Sequence, residues 1–366
     1  MKVALCGGGT GGHIYPALSI AAALKETAKG LMLLYLGASG QETQLVERAG
    51  IPYQAVPSGP IRGRSPFQLV TNVAKMGFGT WRARKALSEF GPEVVLATGG
   101  YTSIPVALAA RSKGIPVVVY LPDVYPGWAV KALSRLAQRV AVSTDWTVSR
   151  VSNGKAVVTG YPVRQEFWQV NRSEGRRRLG LDAEGKVLFV AGASQGAHAI
   201  NTAVAANLRG LLELCEVIHL SGIADEPQMR RAQEALPGGL KSRYHLFGYL
   251  HDEFPWAMAA ADLAVCRAGA SVLGELPAAG LPAVLVPYRY AGGHQRHNAR
   301  YLQEHGAAII VENAGLERRL LSLVGELLHD GARLHAMAEA ARQLARPDAA
   351  RNIAKLLVEV ATGDEG

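Results

Sequence analysis

Cysteine is sparse in this chain: Cys6, Cys215 and Cys266 are the only three in 366 residues, far apart and each in or beside an apolar run. No Cys-x-x-Cys pair or Cys/His ligand spacing occurs, which excludes a disulfide framework and a zinc cluster; the thiols read as small core residues. No apolar run approaches the roughly 18 residues that span a bilayer. MKVALC runs straight into glycine, too short for a signal peptide, so a cytosolic protein is expected. Two further absences concern chemistry. No Asp-x-Asp metal pair is present, and no Lys-Ser/Thr follows the first glycines, which excludes a P-loop.

What is present is a chain with 49% hydrophobic residues and 39 Lys+Arg against 30 Asp+Glu. That length favours two domains, and the basic balance favours an anionic partner without choosing among nucleic acid, an acidic membrane face and a phosphorylated ligand. Short apolar runs alternate with helical segments. VALC (3–6), LMLLYLG (31–37), VVLATGG (94–100), PVVVYLP (116–122), RVAVS (139–143) and AVVTG (156–160) read as strands. The second half repeats the scheme with VLFVAGAS (187–194), EVIHLSG (216–222), YHLFGYL (244–250), LAVCRAG (263–269), PAVLVPY (282–288) and AAIIV (307–311). Continuous Val/Leu/Ile runs separated by helices indicate parallel sheets covered on both faces. Two doubly wound α/β units are expected, with ligand crevices at the carboxyl ends of the strands. The polar stretch 161–185 is expected to be an irregular linker, and the chain beyond about Arg342 an amphipathic helix packing back on the first domain.

Each half opens with the same device. VALCGGGTGGH (3–13) and VLFVAGASQGAH (187–198) pass from strand to Gly-rich turn to helix. Gly7-x-Gly9-x-x-Gly12 satisfies a dinucleotide fingerprint, but no carboxylate follows the second strand until Glu42, which removes the ribose-binding acid such a site needs. What survives is a helix N-terminus whose backbone N–H groups can hold phosphate oxygens. His13 at the loop's exit is a candidate general base, against the plain reading of a structural histidine. In GASQGA (192–197), Ser194 adds a hydroxyl donor. In RAGASVLGE (267–275), Glu275 could accept two bonds from sugar hydroxyls. In PYRYAGGHQRHNA (287–299), Gln295 and Asn298 are candidate sugar contacts, and Arg164 in GYPVR could neutralise a diphosphate. The segment 59–85 carries a basic loop and then Phe67, Leu69, Val70, Val73, Met76, Phe78 and Trp81 among Lys75, Arg82, Arg84 and Lys85. It is either a helix burying its apolar face or a patch for an anionic membrane.

Together and in this order, GGGTGGHIYPALSIA, TGGY (98–101), GYPVR, GASQGA, RAGASxxxE and HQxxNA resemble the MurG family, over residues 1 to about 350. Those are the GT-B transferases that add N-acetylglucosamine to undecaprenyl-linked muramyl-pentapeptide (lipid I). The resemblance implies a GT-B fold of two Rossmann-like parallel-sheet domains with an interdomain cleft: an acceptor and membrane-side domain over 1–163, a UDP-sugar domain over 164–341 and a returning helix over 342–366. It implies inverting transfer from UDP-GlcNAc to the acceptor's 4-hydroxyl at the cytoplasmic membrane face. The partners are UDP-GlcNAc, the lipid-linked acceptor and, through 59–85, an anionic membrane surface, with no nucleic acid. No cofactor or metal is expected.

The family's roles carry over where residues match. Thr10, Gly11 and Gly12 would line the cleft, the first loop holding the acceptor's diphosphate, and His13 would take the proton from the 4-hydroxyl. Gly99, Gly100 and Tyr101 match a second cleft-lining turn. Arg164 and Ser194 would contact the UDP diphosphate, and Leu250 would lie near the uracil. Ala270, Ser271, Val272, Leu273, Gly274 and Glu275 would contact phosphate and ribose, Glu275 joining His13 in the catalytic set by holding the ribose hydroxyls. Gln295 would bind the GlcNAc hydroxyls, with Asn298 beside it. Three positions depart from the pattern. Tyr120-Leu121-Pro122-Asp123 replaces His-Glu-Gln-Asn, placing a carboxylate where the family's Asn amide approaches the sugar. Tyr161 replaces the Asn of GNPVR, and His294 the first Gln of a Gln-Gln pair. The departures leave room for a UDP-sugar transferase with another lipid or small-molecule acceptor, or a non-catalytic UDP-sugar-binding protein.

Overall fold

A computed structural model describes residues 1–8, 11–38, 40–59, 66–151, 154–192, 196–288 and 293–363, with backbone only at 11, 41, 66–70, 128 and 129. The chain divides into two compact units, one formed by Met1–Arg164 with Arg346–Gly366 and the other by Gln165–Ala345.

Unit 1 runs β1 (Lys2–Cys6), α1 (Gly11–Thr27), β2 (Met32–Gly37), α2 (Gln41–Arg48), β3 (Tyr53–Ala55), α3 (Pro66–Phe90) and β4 (Val94–Ala97). It continues with α4 (Ser103–Ser112), β5 (Val117–Leu121), α5 (Trp128–Leu136), β6 (Arg139–Val142), a 3₁₀ turn at Asp145–Arg150 and β7 (Ala156–Val158). Its strands form one parallel sheet in the order β3-β2-β1-β4-β5-β6-β7. β1, β4 and β5 are buried almost throughout, because helices cover both faces. Each fully buried Val or Leu there, such as Val95, Leu96 or Val118, contributes about 1.5–3 kcal/mol relative to exposure.

Unit 2 opens with a 3₁₀ turn at Gln165–Trp168 and α6 (Arg172–Leu179). Then come β8 (Val187–Ala191), α7 (His198–Leu214), β9 (Glu216–Leu220), α8 (Glu226–Glu234), α9 (Gly238–Lys241), β10 (Tyr244–Phe247) and α10 (Phe254–Ala260). β11 (Leu263–Cys266), α11 (Val272–Ala279), β12 (Ala283–Leu285), α12 (His294–Glu304), β13 (Ala308–Ile310), α13 (Leu316–His329) and α14 (Gly331–Gln343) complete it. The second parallel sheet is ordered β10-β9-β8-β11-β12-β13. α15 (Ala349–Thr362) rejoins unit 1 and packs on α1.

Two elements differ from the sequence expectation. The stretch 161–185 is not wholly irregular: α6 forms there because Asn171 caps it by accepting from Glu174 N (2.9 Å), Gly180 ends it at φ 66°, and Glu174 pairs with Arg177 and Arg178. β3 was not expected at all, since Tyr-Gln-Ala is too short and too polar to show as an apolar run. The three cysteines are buried, and burial pushes each thiol up to about 12, so they are inert core residues.

Strand order reverses direction between β1 and β4 in the first sheet and between β8 and β11 in the second. At such switch points the loops leaving adjacent strands diverge and open a crevice at the carboxyl ends. The loops after these four strands are GGGTGG, TGGY, GASQGA and RAGAS. The topology therefore brings the sequence motifs together in pairs, one pair per unit.

Candidate functional site

In unit 1 the loop after β1 leads into α1, whose third residue is His13. The His13 Nδ1 lies 2.8 Å from the Thr98 carbonyl, and Thr98 Oγ1 donates back to the His13 carbonyl at 2.9 Å. A carbonyl only accepts, so Nδ1 carries the proton and Nε2 is left as an acceptor. Gly99 is glycine because a Cβ there would come within 2.8 Å of the His13 Cε1. Gly100 has φ 79°, and a Cβ on it would strike the Gly8 carbonyl. TGGY thus locks both the ring and the first loop. Ser103 Oγ donates to the Gly99 carbonyl (2.6 Å), fixing the turn from below. Pro16, in the second turn of α1, has no N–H for the Gly12 carbonyl, leaving that acceptor without its helical donor.

Burial lowers the His13 pKa below 6.5, opposed by the Thr98 bond and by the carboxylates of Asp123 and Glu42. The ring is thus held neutral near pH 7, while two carboxylates stand ready to stabilise an imidazolium. Asp123 follows β5 and is half-buried. Glu42, in the first turn of α2, is buried at 6% exposure and accepts from Tyr53 Oη at 3.1 Å. It packs on Gly8, where a Cβ would lie 3.0 Å from the carboxylate. The acid too late in sequence to serve a ribose therefore sits against the first loop. Sequence reasoning passed it over; its signal was being the first acid after β2. Arg164 lays its guanidinium over the Tyr15 ring at 5.1 Å, on the same helix as His13.

In unit 2, Gly192 and Gly196 flank the loop after β8, and a Cβ on Gly196 (φ 80°) would strike the Ser221 carbonyl. Ser221 and its neighbours are held by a buried chain of bonds. Tyr244 Oη meets His219 Nδ1 at 2.7 Å, and His219 Nε2 meets Asn201 Oδ1 at 3.0 Å. Asn201 Nδ2 donates to the Ser221 carbonyl and to Asp225. Burial pushes His219 down to about 3, so it stays neutral. Ala270 and Ser271 precede α11, and Val272, Leu273, Gly274 and Glu275 form its first turn, with Glu275 half-buried. Leu250 is buried just beyond β10. Gln295, at the start of α12, accepts from Tyr288 N (2.9 Å), which leaves its Nε2 to donate. Asn298 is fully buried and donates to the Ala268 carbonyl (3.1 Å), tying α12 to the RAGAS loop. At the start of that loop Arg267 is buried, its Nη1 bonded to the Val286 carbonyl and Asn313 Oδ1, a support that no local pattern in the sequence marks.

Thr10 and Ser194 lie outside the described residues; Gly11 and Gly12 open α1. The structure groups Gly12, His13, Asp123 and Arg164 in unit 1. Leu250, Ala270 through Glu275, Gln295 and Asn298 belong to unit 2. Among the described residues no cluster of three His, Cys, Asp or Glu side chains could hold a metal ion. No described helix is long and apolar enough to cross a membrane.

Both units have counterparts among known proteins. Residues 3–142 match the glycosyltransferase family 28 N-terminal domain and residues 187–353 the family's C-terminal domain. A protein of Roseiflexus sp. (strain RS-1) named UDP-N-acetylglucosamine–N-acetylmuramyl-(pentapeptide) pyrophosphoryl-undecaprenol N-acetylglucosamine transferase is 41% identical, covering 98% of this chain and 94% of its own. The chain belongs to the MurG family. A protein of the same name from Halothermothrix orenii is 37% identical across 99% of this chain and all of its own. Acinetobacter baumannii MurG superposes with a TM-score of 0.74 at 26% identity, covering 98% of this chain and 99% of that one. UDP-GlcNAc 2-epimerase from Neisseria meningitidis, at 16% identity and TM-score 0.71, shares the fold. The MurG fold, GT-B with two Rossmann-like parallel-sheet domains, is the architecture seen in units 1 and 2.

Proposed function

We propose that this chain transfers N-acetylglucosamine from UDP-GlcNAc to the 4-hydroxyl of undecaprenyl-diphosphate-linked N-acetylmuramoyl-pentapeptide, converting lipid I to lipid II in peptidoglycan synthesis. The observation that carries it is the tautomer of His13 set by Thr98: Nδ1–H held by the carbonyl and Nε2 left as the acceptor, on the helix that follows the first glycine-rich loop.

His13 Nε2 takes the acceptor's 4-hydroxyl proton as the oxygen attacks the anomeric carbon opposite the diphosphate, inverting it. Thr98, Asp123 and Glu42 favour the imidazolium that forms. The sugar gains oxocarbenium character as its bond to the diphosphate lengthens, so stabilising the departing UDP is the harder part. Arg164, Ser194 and backbone N–H groups at helix N-termini serve that role. Glu275 accepts the ribose hydroxyls, Gln295 Nε2 donates to a GlcNAc hydroxyl, Leu250 lies near the uracil, and Asn298 keeps the RAGAS loop in place.

Replacing His13 by Ala should lower turnover by roughly two to four orders of magnitude. UDP binding, measured by calorimetry, should be unaffected, because the donor loops lie in unit 2. Near-full turnover of the variant would remove His13 as the base. A second reading rests on Asp123, which replaces the family's Asn amide with a carboxylate: a UDP-sugar transferase acting on another lipid acceptor.

The acceptor is lipid-anchored, so the enzyme works at the cytoplasmic face of the membrane as a peripheral protein. α3 supports this. Phe78 and Trp81 stack at 5.6 Å with more than half of each exposed, Val73 is equally exposed, and Lys75, Arg82 and Lys85 surround them. Aromatic side chains rimmed by cations suit an anionic bilayer surface. The side chains of Phe67, Leu69 and Val70 lie outside the described residues.

A further inference from the structure

Against the first glycine loop of unit 1 stands a hydroxyl with nothing to bond. Tyr35, on β2, is fully buried, and among the described residues its Oη has no hydrogen-bond partner. The ring stacks on Tyr53, with centroids 5.7 Å apart and planes 12° from parallel, which fixes where the hydroxyl points. A Cβ on Gly7 would come within 3.2 Å of that Oη and would strike Thr98 Oγ1, so the Gly7 backbone passes between two hydroxyls. Thr98 Oγ1 is committed to the His13 carbonyl; Tyr35 Oη is not committed. Nearby acceptors are already served. The Cys6 carbonyl takes the Thr98 N–H and the Ser103 hydroxyl, and Glu42 takes Tyr53 Oη. Burial holds the Tyr35 pKa well above 10, with Glu42 pushing the same way, so the group keeps its proton and is a donor. A buried donor left unmet is costly, and phenylalanine would fill the same space without that cost.

The peptide joining Gly7 to Gly8 is the group that can use this donor. In a planar trans peptide the N–H and C=O point in opposite directions. For the loop to aim the Gly8 N–H outward at an anion, the Gly7 carbonyl must turn inward, where a buried acceptor needs a donor. Tyr35 Oη stands beside Gly7 on that inner side. Glycine on both sides lets the peptide rotate without a Cβ clash. The Gly8 carbonyl itself is close against Gly100, which leaves the Gly7 carbonyl as the one free to turn. We infer that Tyr35 is a positioning residue for the anion-bound loop: its hydroxyl donates to the Gly7 carbonyl when the Gly8 N–H turns to the acceptor's diphosphate. The inference rests on the acceptor reading above and adds to it the inner donor that the loop requires. Thr98, on the other side of Gly7, clamps His13, so one peptide adjoins both the diphosphate and the support of the base.

The test compares the full native chain with Tyr35→Phe and with Ser19→Ala, which removes the hydroxyl on α1 that likewise has no partner among the described residues. Three quantities are read: the urea midpoint, the affinity for geranyl diphosphate at saturating UDP, and KM and kcat with lipid I. Saturating UDP keeps the probe from the donor loops of unit 2. Tyr35→Phe should keep or raise the urea midpoint, because the hydroxyl it removes has no partner without the anion. It should weaken geranyl diphosphate binding by roughly tenfold and raise KM for lipid I by a similar factor, with UDP binding unchanged. Ser19→Ala should keep or raise the midpoint too, and leave both affinities at the native values. An unchanged affinity in Tyr35→Phe overturns the inference, as do equal losses in the two variants or a native chain that binds no geranyl diphosphate. A lowered midpoint in Tyr35→Phe also overturns it, since the hydroxyl would then be bonded without the anion. If geranyl diphosphate binding depends on Tyr35 but lipid I is not glycosylated, the inference stands and the assigned acceptor falls. Turnover of lipid I with a native KM in Tyr35→Phe gives the reverse.

Discussion

Two histidines show how burial sets chemistry one residue at a time. His13 is half-buried and flanked by carboxylates: burial lowers its pKa, while the carboxylates favour the imidazolium. Replacing Asp123 by Asn removes one charge that favours the imidazolium, so the His13 pKa should fall further. The acid limb of kcat/KM against pH should then move to lower pH. An unmoved limb would take Asp123 out of the base's environment. His219 is the structural counterpart, with partners on both nitrogens and a pKa pushed down to about 3. Unfolded, it would titrate near 6.5, so between about pH 6.5 and 3 only the unfolded chain takes up its proton. Stability is complete above that window and falls by about 1.4 kcal/mol per pH unit within it. Urea unfolding at pH 7 and pH 5 should show that loss in the native chain, with a smaller one in His219→Gln.

Among the elements, the loops at the switch points matter most to the proposed function, because their backbones would carry the site. Gly100 combines a left-handed φ with close approach to the Gly8 carbonyl. Gly100→Ala should cost about 1–3 kcal/mol and displace the first loop, lowering kcat/KM more than tenfold. Gly50 is a control with φ 68° and nothing within 4 Å of a Cβ. Gly50→Ala should cost stability alone. Equal activity in the two variants would show that the contact with Gly8 is not needed. The strands and the glycine motifs were legible because they are written in local patterns: apolar runs, then clustered Gly. Other contacts join residues far apart in sequence. Thr98 clamps His13 across 85 residues, Asn298 supports Ala268 across 30, and Tyr53 meets Glu42 on a strand too short to stand out. No local window contains both partners, so these supports appear only in three dimensions.

At the scale of the whole molecule, the chain is a duplicated α/β design put to asymmetric use. Both units have a switch point between their first and fourth strands, flanked by glycine- or alanine-rich loops. Under the proposed function unit 1 supplies the base, His13, and unit 2 the acid and amide for a sugar nucleotide, Glu275 and Gln295. α15 closes unit 1 by returning to α1, so it supports the helix that bears His13. The proposed division of labour follows the family resemblance, with Asp123 as its departure on the proposed acceptor side. Transfer of N-acetylglucosamine to lipid I is what separates this function from that of a transferase with another acceptor. Purified protein should be incubated with UDP-GlcNAc and either lipid I or diacylglycerol, with release of UDP and the glycosylated lipid both measured. Stoichiometric UDP and lipid II are expected from lipid I alone, both lost in His13→Ala. Glycosylated diacylglycerol with lipid I untouched would contradict it.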